Sequence, residues 1–215
     1  MSGAKASLPT APSLDFERTL WRAGYQFIAG VDEAGRGALA GPVAAGAVIL
    51  PCRADLGAIL DGVRDSKLMS AAARQLWRDV ICRTAVSWAV GFASQLEVDC
   101  LGILPATRLA ASRAIDLLSI APDYLLTDYL ILSEEEAPQT GLVKGDRLVL
   151  SIAAASILAK TSRDQWMTEA GRAYPGYGFA QHKGYGTRQH RQALFRLGNT
   201  PLHRLSFHYS CADLD

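Results

Sequence analysis

Phe27-Ile28-Ala29-Gly30-Val31-Asp32-Glu33-Ala34-Gly35-Arg36-Gly37 runs from apolar and small residues straight into two adjacent carboxylates and a glycine-flanked arginine. The apolar half has the length and side-chain type of a buried strand. Two anions at its end are costly unless a cation holds them, and an arginine between glycines suits close approach to a phosphate or sugar. The stretch therefore reads as a strand that delivers a site for metal and nucleic acid. A strand ending in a solvated turn is the plainer alternative, and the rest of the chain decides between them.

Outward from this stretch, Val43 to Leu50 is a second apolar run, joined to Gln26–Asp32 through the glycine-rich turn and Pro42, as in a hairpin or neighbouring strands. Upstream, Ser13 is placed to cap a short helix with Asp15 and Glu17 in its first turn and Gly24 at its end. Downstream, Ser70 opens an amphipathic helix through Arg83 with Ala73, Leu76, Trp77, Val80 and Ile81 on one face. Val86 to Ala93 reads as a strand and Ile103 to Leu118 as a helix. Tyr124-Leu125-Leu126-Thr127-Asp128 is a buried strand ending in a carboxylate, and Leu142-Val143-Lys144-Gly145-Asp146 repeats that pattern. An alanine-rich helix follows from Ser151 to about Ala173, then glycine- and tyrosine-rich loops and a basic helix from Thr187 to Leu197. The order of elements predicts an α/β layer fold with a mixed sheet, and Glu134-Glu135-Glu136 reads as a solvated loop.

The chain has 215 residues, 49% of them hydrophobic, which is enough for one principal domain burying about 70% of its unfolded surface. Its net charge of +1 does not discriminate between partners. The distribution does: Arg172, Lys183, Arg188, Arg191, Arg196 and Arg204, with His182, His190 and His203, occupy a span free of Asp and Glu, which predicts nucleic-acid contact. Cys52, Cys82, Cys100 and Cys211 have neither Cys-x-x-Cys nor metal-finger spacing and read as reduced packing residues. Residues 1–13 resemble neither a signal peptide nor a membrane span; the expectation is a disordered leader on a cytoplasmic protein, with the domain over 14–215.

Three expected strands finish with acids, Asp32-Glu33, Asp128 and Asp146, and their convergence at one sheet edge would demand divalent cations. Carboxylate ligands favour Mg²⁺ or Mn²⁺, and two such ions support in-line hydrolysis of a phosphodiester without a nucleophilic side chain. Ser66, Ser151 and Ser156 thus read as hydrogen-bonding or capping groups. Asp32 and Glu33 are consecutive and point to opposite faces of a regular strand, so either the strand breaks there or Glu33 contributes partly through its carbonyl.

These motifs, in order from about Leu14 to Phe207, resemble type 2 ribonuclease H, the ribonuclease HII family. The resemblance is carried by Val31 to Gly37, Gly41-Pro42-Val43, Asp65-Ser66-Lys67, Lys144-Gly145-Asp146, Ser151 to Lys160, Tyr177-Gly178-Phe179, His182-Lys183-Gly184-Tyr185 and His203-Arg204. It implies a ribonuclease H-like fold, a mixed central sheet flanked by helices, with a C-terminal helical portion over about 174–215 that grips the duplex. It implies an endonuclease, usually monomeric, that cuts RNA in RNA-DNA hybrids and at ribonucleotides embedded in duplex DNA. The family's metal-binding acids fall on Asp32, Glu33, Asp128 and Asp146. The Gly35-Arg36-Gly37 turn matches the one that reads a ribose 2′-hydroxyl at the RNA-to-DNA junction, and Tyr185 the tyrosine stacked beside it. Ser66 and Lys67 match phosphate contacts, with Lys160 and Lys183 as further substrate-binding candidates. Tyr129 stands where the family usually has glycine, Leu68 replaces a second lysine and Ala38 a frequent proline. The alternative, a hybrid-binding protein of the same fold that no longer cuts, rests on Tyr129 alone.

Overall fold

The structure is a computed structural model that describes residues 10–208. In chain order it contains α1 (Asp15–Arg22), β1 (Ile28–Ala34), β2 (Val43–Ile49), α2 (Leu56–Ile59), α3 (Ala71–Thr84), β3 (Ser87–Ala93), α4 (Gln95–Leu101), α5 (Ile103–Asp116), β4 (Tyr124–Asp128), β5 (Gln139–Leu142), α6 (Leu150–Ala173), α7 (Phe179–His182) and α8 (Arg188–Leu197). The strands form one mixed sheet of order β3-β2-β1-β4-β5. β1 pairs antiparallel with β2 and parallel with β4, so the opening stretch of sequence occupies the centre of the sheet.

Both faces of the sheet are covered, which is why β1 and β2 read as apolar runs rather than alternating ones. Ala29 and Val31 of β1 join Ala106, Ala110 and Ala114 of α5 in one core. On the other face Val48 meets Ala154, Ile157 and Leu158 of α6, with Ile81 of α3 behind them. The helix lies directly on the strands: a Cβ on Gly30 would fall 2.2 Å from the Ser151 carbonyl carbon, and one on Gly46 2.4 Å from the Ala155 oxygen. The alanine-rich half of α6 is thus the complement of small residues in β1 and β2. Its first turn has no cap of its own; the buried Glu17 of α1 accepts the Ser151 N–H at 2.8 Å.

Several expectations are corrected. Leu14, not Ser13, is the N-cap of α1, and Ser13 instead pairs its backbone with Leu148 and Leu150 at 3.0 and 2.9 Å. Of the expected leader, residues 1–9 lie outside the described residues, as does Cys211. Leu76 is 60% exposed, because α3 packs at the periphery and buries a narrower face than its pattern implies. β5 ends at Leu142, and Asp146 sits in a 3-10 turn, Gly145–Arg147, because Lys144 takes a left-handed conformation and reverses the chain. The sequence reading passed over α4, whose capping box between Ser94 and Glu97 is a legible start signal. Among the described residues no helix is long and apolar enough to cross a membrane.

Candidate active site

Asp32 lies within β1, Asp128 ends β4, and Asp146 rides on the 3-10 turn that follows β5. One carboxylate oxygen from each lies within 4.8 Å of the others. Parallel pairing of β4 with β5 sets Asp128 opposite Leu142, and the Gly145 N–H then donates to Asp128 Oδ1 at 2.7 Å. That bond ties the third acid to the second. The turn after Asp128 takes a positive φ, +63° at Tyr129, a conformation glycine adopts without strain, and with tyrosine there Asp128 still lies in the acid cluster. Asp123 binds the Gln26 and Phe27 N–H groups at the opposite end of the sheet.

Asp32 is buried; its Oδ1 accepts the Glu33 N–H, and its Oδ2 has no hydrogen-bond partner among the described residues. Burial, then the charges of Glu33, Asp128 and Asp146, hold its carboxyl well above the usual carboxylate range. Asp146 is pushed up to about 6 by burial and by the neighbouring Asp65 and Asp128, with Lys67 working against the rise. Lys67 Nζ stands 3.8 Å from Asp146 Oδ2. Burial opposes the charged form of Lys67, but the surrounding acids outweigh it and raise its pKa. An orphaned buried oxygen amid mutually repelling carboxylates fits a hard divalent cation.

Glu33 is not in this cluster. β1 stays regular to Ala34, so successive side chains alternate, and Glu33 pairs with Arg36 at 3.0 Å across the turn. Beside the acids opens a cleft of about 420 Å³ lined by Glu33, Ala34, Gly35, Arg36, Gly37, Ser66, Lys67, Lys160 and Tyr185. The Gly-Arg-Gly turn, Ser66, Lys67, Lys160 and Tyr185 are therefore brought together from distant parts of the chain. Ser66 shares its hydroxyl with Ser156 at 2.8 Å, a buried link between the Asp65-Ser66-Lys67 segment and α6. Lys160 pairs with Asp164 at 2.7 Å and lies 5.5 Å from the Tyr185 ring centre. Lys183 is not brought to the cleft: its ammonium turns to Thr168 Oγ1 and the Ala180 carbonyl.

The basic span is also not one surface. Arg204, His190 and His203 are buried, whereas Arg172, Arg188 and Arg196 are exposed. Burial first, then His182 and His203, pushes His190 down to about 4, so it is neutral at ordinary pH. The sequence reading missed Arg163 as a participant; it is fully buried and bonds the Pro42, Ala40 and Lys183 carbonyls. It missed equally the proximity of Asp65 to Asp146.

Residues 29–210 match the family model for ribonuclease HII. The chain is 50% identical over 191 residues to ribonuclease HII of Dehalococcoides mccartyi, covering 89% of this chain and 90% of that one. It is 51% identical over 201 residues to ribonuclease HII of Roseiflexus castenholzii, covering 93% and 90%. Its fold resembles that of ribonuclease H2 from Pyrococcus horikoshii with a TM-score of 0.71 at 23% identity, over 84% of this chain and 93% of that one, which establishes the ribonuclease H-like architecture. Sequence and fold agree that the chain belongs to the ribonuclease HII family of endoribonucleases.

Proposed function

We propose that the protein hydrolyses the RNA strand of RNA-DNA hybrids and cuts on the 5′ side of ribonucleotides embedded in duplex DNA. The observation that carries this reading is adjacency: the cleft that holds the Gly35-Arg36-Gly37 turn and Tyr185 is also lined by Lys67, whose ammonium stands 3.8 Å from Asp146 of the acid cluster. Asp32, Asp128 and Asp146 would hold Mg²⁺ or Mn²⁺, two ions with substrate bound, and Glu33 completes the set of acids from the cleft wall. When bound, such ions activate water and stabilise the charge that develops at phosphorus.

The residues do the rest by position. Lys67 and Ser66 face the phosphate path, and Lys160 adds a cation beside Tyr185. Backbone groups of the turn reach a ribose 2′-hydroxyl, the group that separates RNA from DNA, while Tyr185 packs on the adjoining sugar. Water adds to phosphorus and the P–O3′ bond breaks, leaving a 3′-hydroxyl and a 5′-phosphate. The 2′-hydroxyl is held rather than used as nucleophile, so no 2′,3′-cyclic product forms. The exposed arginines of α8 grip the duplex backbone without reading sequence. The free thiols of Cys52, Cys82 and Cys100 accord with a reducing compartment such as the cytoplasm.

The test is a set of duplexes identical in sequence that carry no ribonucleotide, one, or a full RNA strand, with the products mapped and end-labelled. Cleavage 5′ of the single ribonucleotide, with 3′-hydroxyl ends and none on plain DNA, is expected. Cutting of plain DNA, or cyclic phosphate ends, would overturn the reading.

A further inference from the structure

We propose that two buried arginines outside the cleft, Arg204 and Arg163, are positioning residues that present the Gly35-Arg36-Gly37 backbone and Tyr185 to the ribose. The inference deepens the function above and rests on its assignment of that turn to the sugar.

Arg204 is 2% exposed, yet its guanidinium meets no carboxylate at ion-pair distance among the described residues; it is spent on carbonyls. Nη2 donates to Gly35 O and Nη1 to Arg36 O, both at 2.8 Å, and Nε to Gly41 O at 3.0 Å. In a trans peptide the C=O and N–H point to opposite sides. Fixing the carbonyls of Gly35 and Arg36 on the guanidinium therefore turns the N–H groups of Arg36 and Gly37 the other way. Both residues line the cleft, so those N–H groups are the donors the turn offers a ribose oxygen.

Arg163 backs the second half of the same surface. Its guanidinium lies 5.3 Å from the Tyr185 ring centre, and a Cβ on Gly35 would fall 1.9 Å from its Nε. One side chain thus sits against both the turn and the tyrosine. It is locked by the Pro42, Ala40 and Lys183 carbonyls at 2.8, 3.0 and 2.9 Å.

The chain carrying Arg204 is itself strapped from outside the cleft. Asp99 of α4 accepts the Leu205 and Ser206 N–H groups, both at 2.9 Å, and the Phe207 ring lies 5.1 Å from the Arg204 guanidinium. Preorganised donors lose their value when their planes are free to turn, whereas acid-bound cations are unaffected by those planes. The two arginines should accordingly govern discrimination between substrates more than hydrolysis itself.

The experiment compares Arg204→Lys and Arg163→Lys, which keep charge but lose the forked donors, with wild type and with Tyr185→Ala. Asp99→Asn, remote from the cleft, joins them in case the arginine variants do not fold. The readouts are kcat and KM on a single-ribonucleotide duplex and on a long hybrid, hydrogen exchange over residues 35–41, and thermal unfolding. Arg204→Lys is expected to lose about tenfold or more in kcat/KM on the single ribonucleotide, far less on the long hybrid, with faster exchange over 35–41. Asp99→Asn should move the same readouts in the same direction by less. Unchanged exchange, or equal losses on both substrates beside a discriminating Tyr185→Ala, would overturn the proposal. If Tyr185→Ala itself loses equally on both, the ribose assignment of the turn has failed, and the proposal falls with it; exchange then still reports whether the arginines hold the turn.

Discussion

The acid cluster and the Gly35-Arg36-Gly37 turn adjoin one another but are held by opposite means. The acids are packed so that their neighbours' charges raise the pKa of Asp32 and Asp146, and Asp32 Oδ2 has no hydrogen-bond partner among the described residues. The turn is held by two guanidiniums, each of whose three nitrogens donates to a backbone carbonyl. One region is incomplete without something from outside, and the other is complete before substrate arrives. That contrast is what chemistry and recognition require: a metal centre needs vacant, anionic ligands, whereas discrimination of a hydroxyl needs donors already in place.

The sharpest way to break the comparison is to neutralise an acid. Asp32→Asn or Asp146→Asn should lower cleavage by about 100-fold or more while hybrid binding stays near wild type, since a metal ligand is lost and the basic exterior remains. Turnover above a few per cent of wild type, measured under single-turnover conditions, would remove that residue from the site. The turn should fail differently: Tyr185→Ala should lose about tenfold more on a single embedded ribonucleotide than on a long hybrid, where other riboses compensate. Equal losses in parallel assays would make Tyr185 a packing residue.

The electrostatic half of the contrast has a thermodynamic signature. The Asp146 carboxyl rises from 3.8 to about 6, so the folded chain binds a proton that the unfolded chain has released. Its contribution favours folding below pH 3.8 and is lost as pH rises to about 6, leaving a penalty above it. Without divalent ions, Asp146→Asn should stabilise the chain at pH 7.5 by about 1 to 2 kcal/mol, allowing for solvent screening, and by much less at pH 4. Urea titrations in chelator at both pH values check this; a variant no more stable at pH 7.5 would contradict it. The smallest effect belongs to Tyr129, 68% exposed with φ +63°. Tyr129→Gly should raise stability by up to about 1 kcal/mol, as relief of the left-handed strain exceeds the added freedom of the unfolded chain. A fall in the denaturation midpoint would show that the tyrosine ring makes contacts that offset the strain.

Much of this was legible in the chain, because the information is local. Buried strands announce themselves as apolar runs, a helix that must lie on a glycine-bearing sheet is rich in alanine, and Asp32 and Asp128 stand out as acids towards the ends of such segments, whereas Asp146 rides on a turn that the reading took for a strand. Ordered motifs from Val31 to Arg204 carried the family. What the sequence could not supply was direction. Whether Glu33 joins Asp32 depended on β1 staying regular to Ala34, and that is set by its ladder with β2. Whether Lys183 reaches the cleft depended on Thr168 and the Ala180 carbonyl.

Charge was the least readable property. From Arg172 to Arg204 the sequence shows one sign, and in the fold that span divides into exposed arginines, the buried pair His190 and His203, and the buried Arg204. The same letter, Arg, stands in solvent at Arg196 and holds the protein's own backbone at Arg204. Composition and spacing determined which chemistry the chain carries, since side-chain type and strand period are local. Only the tertiary structure decided which cations line the cleft or stand exposed and which face carbonyls, because burial and partner choice depend on segments more than a hundred residues apart, as with Arg204 and Gly35.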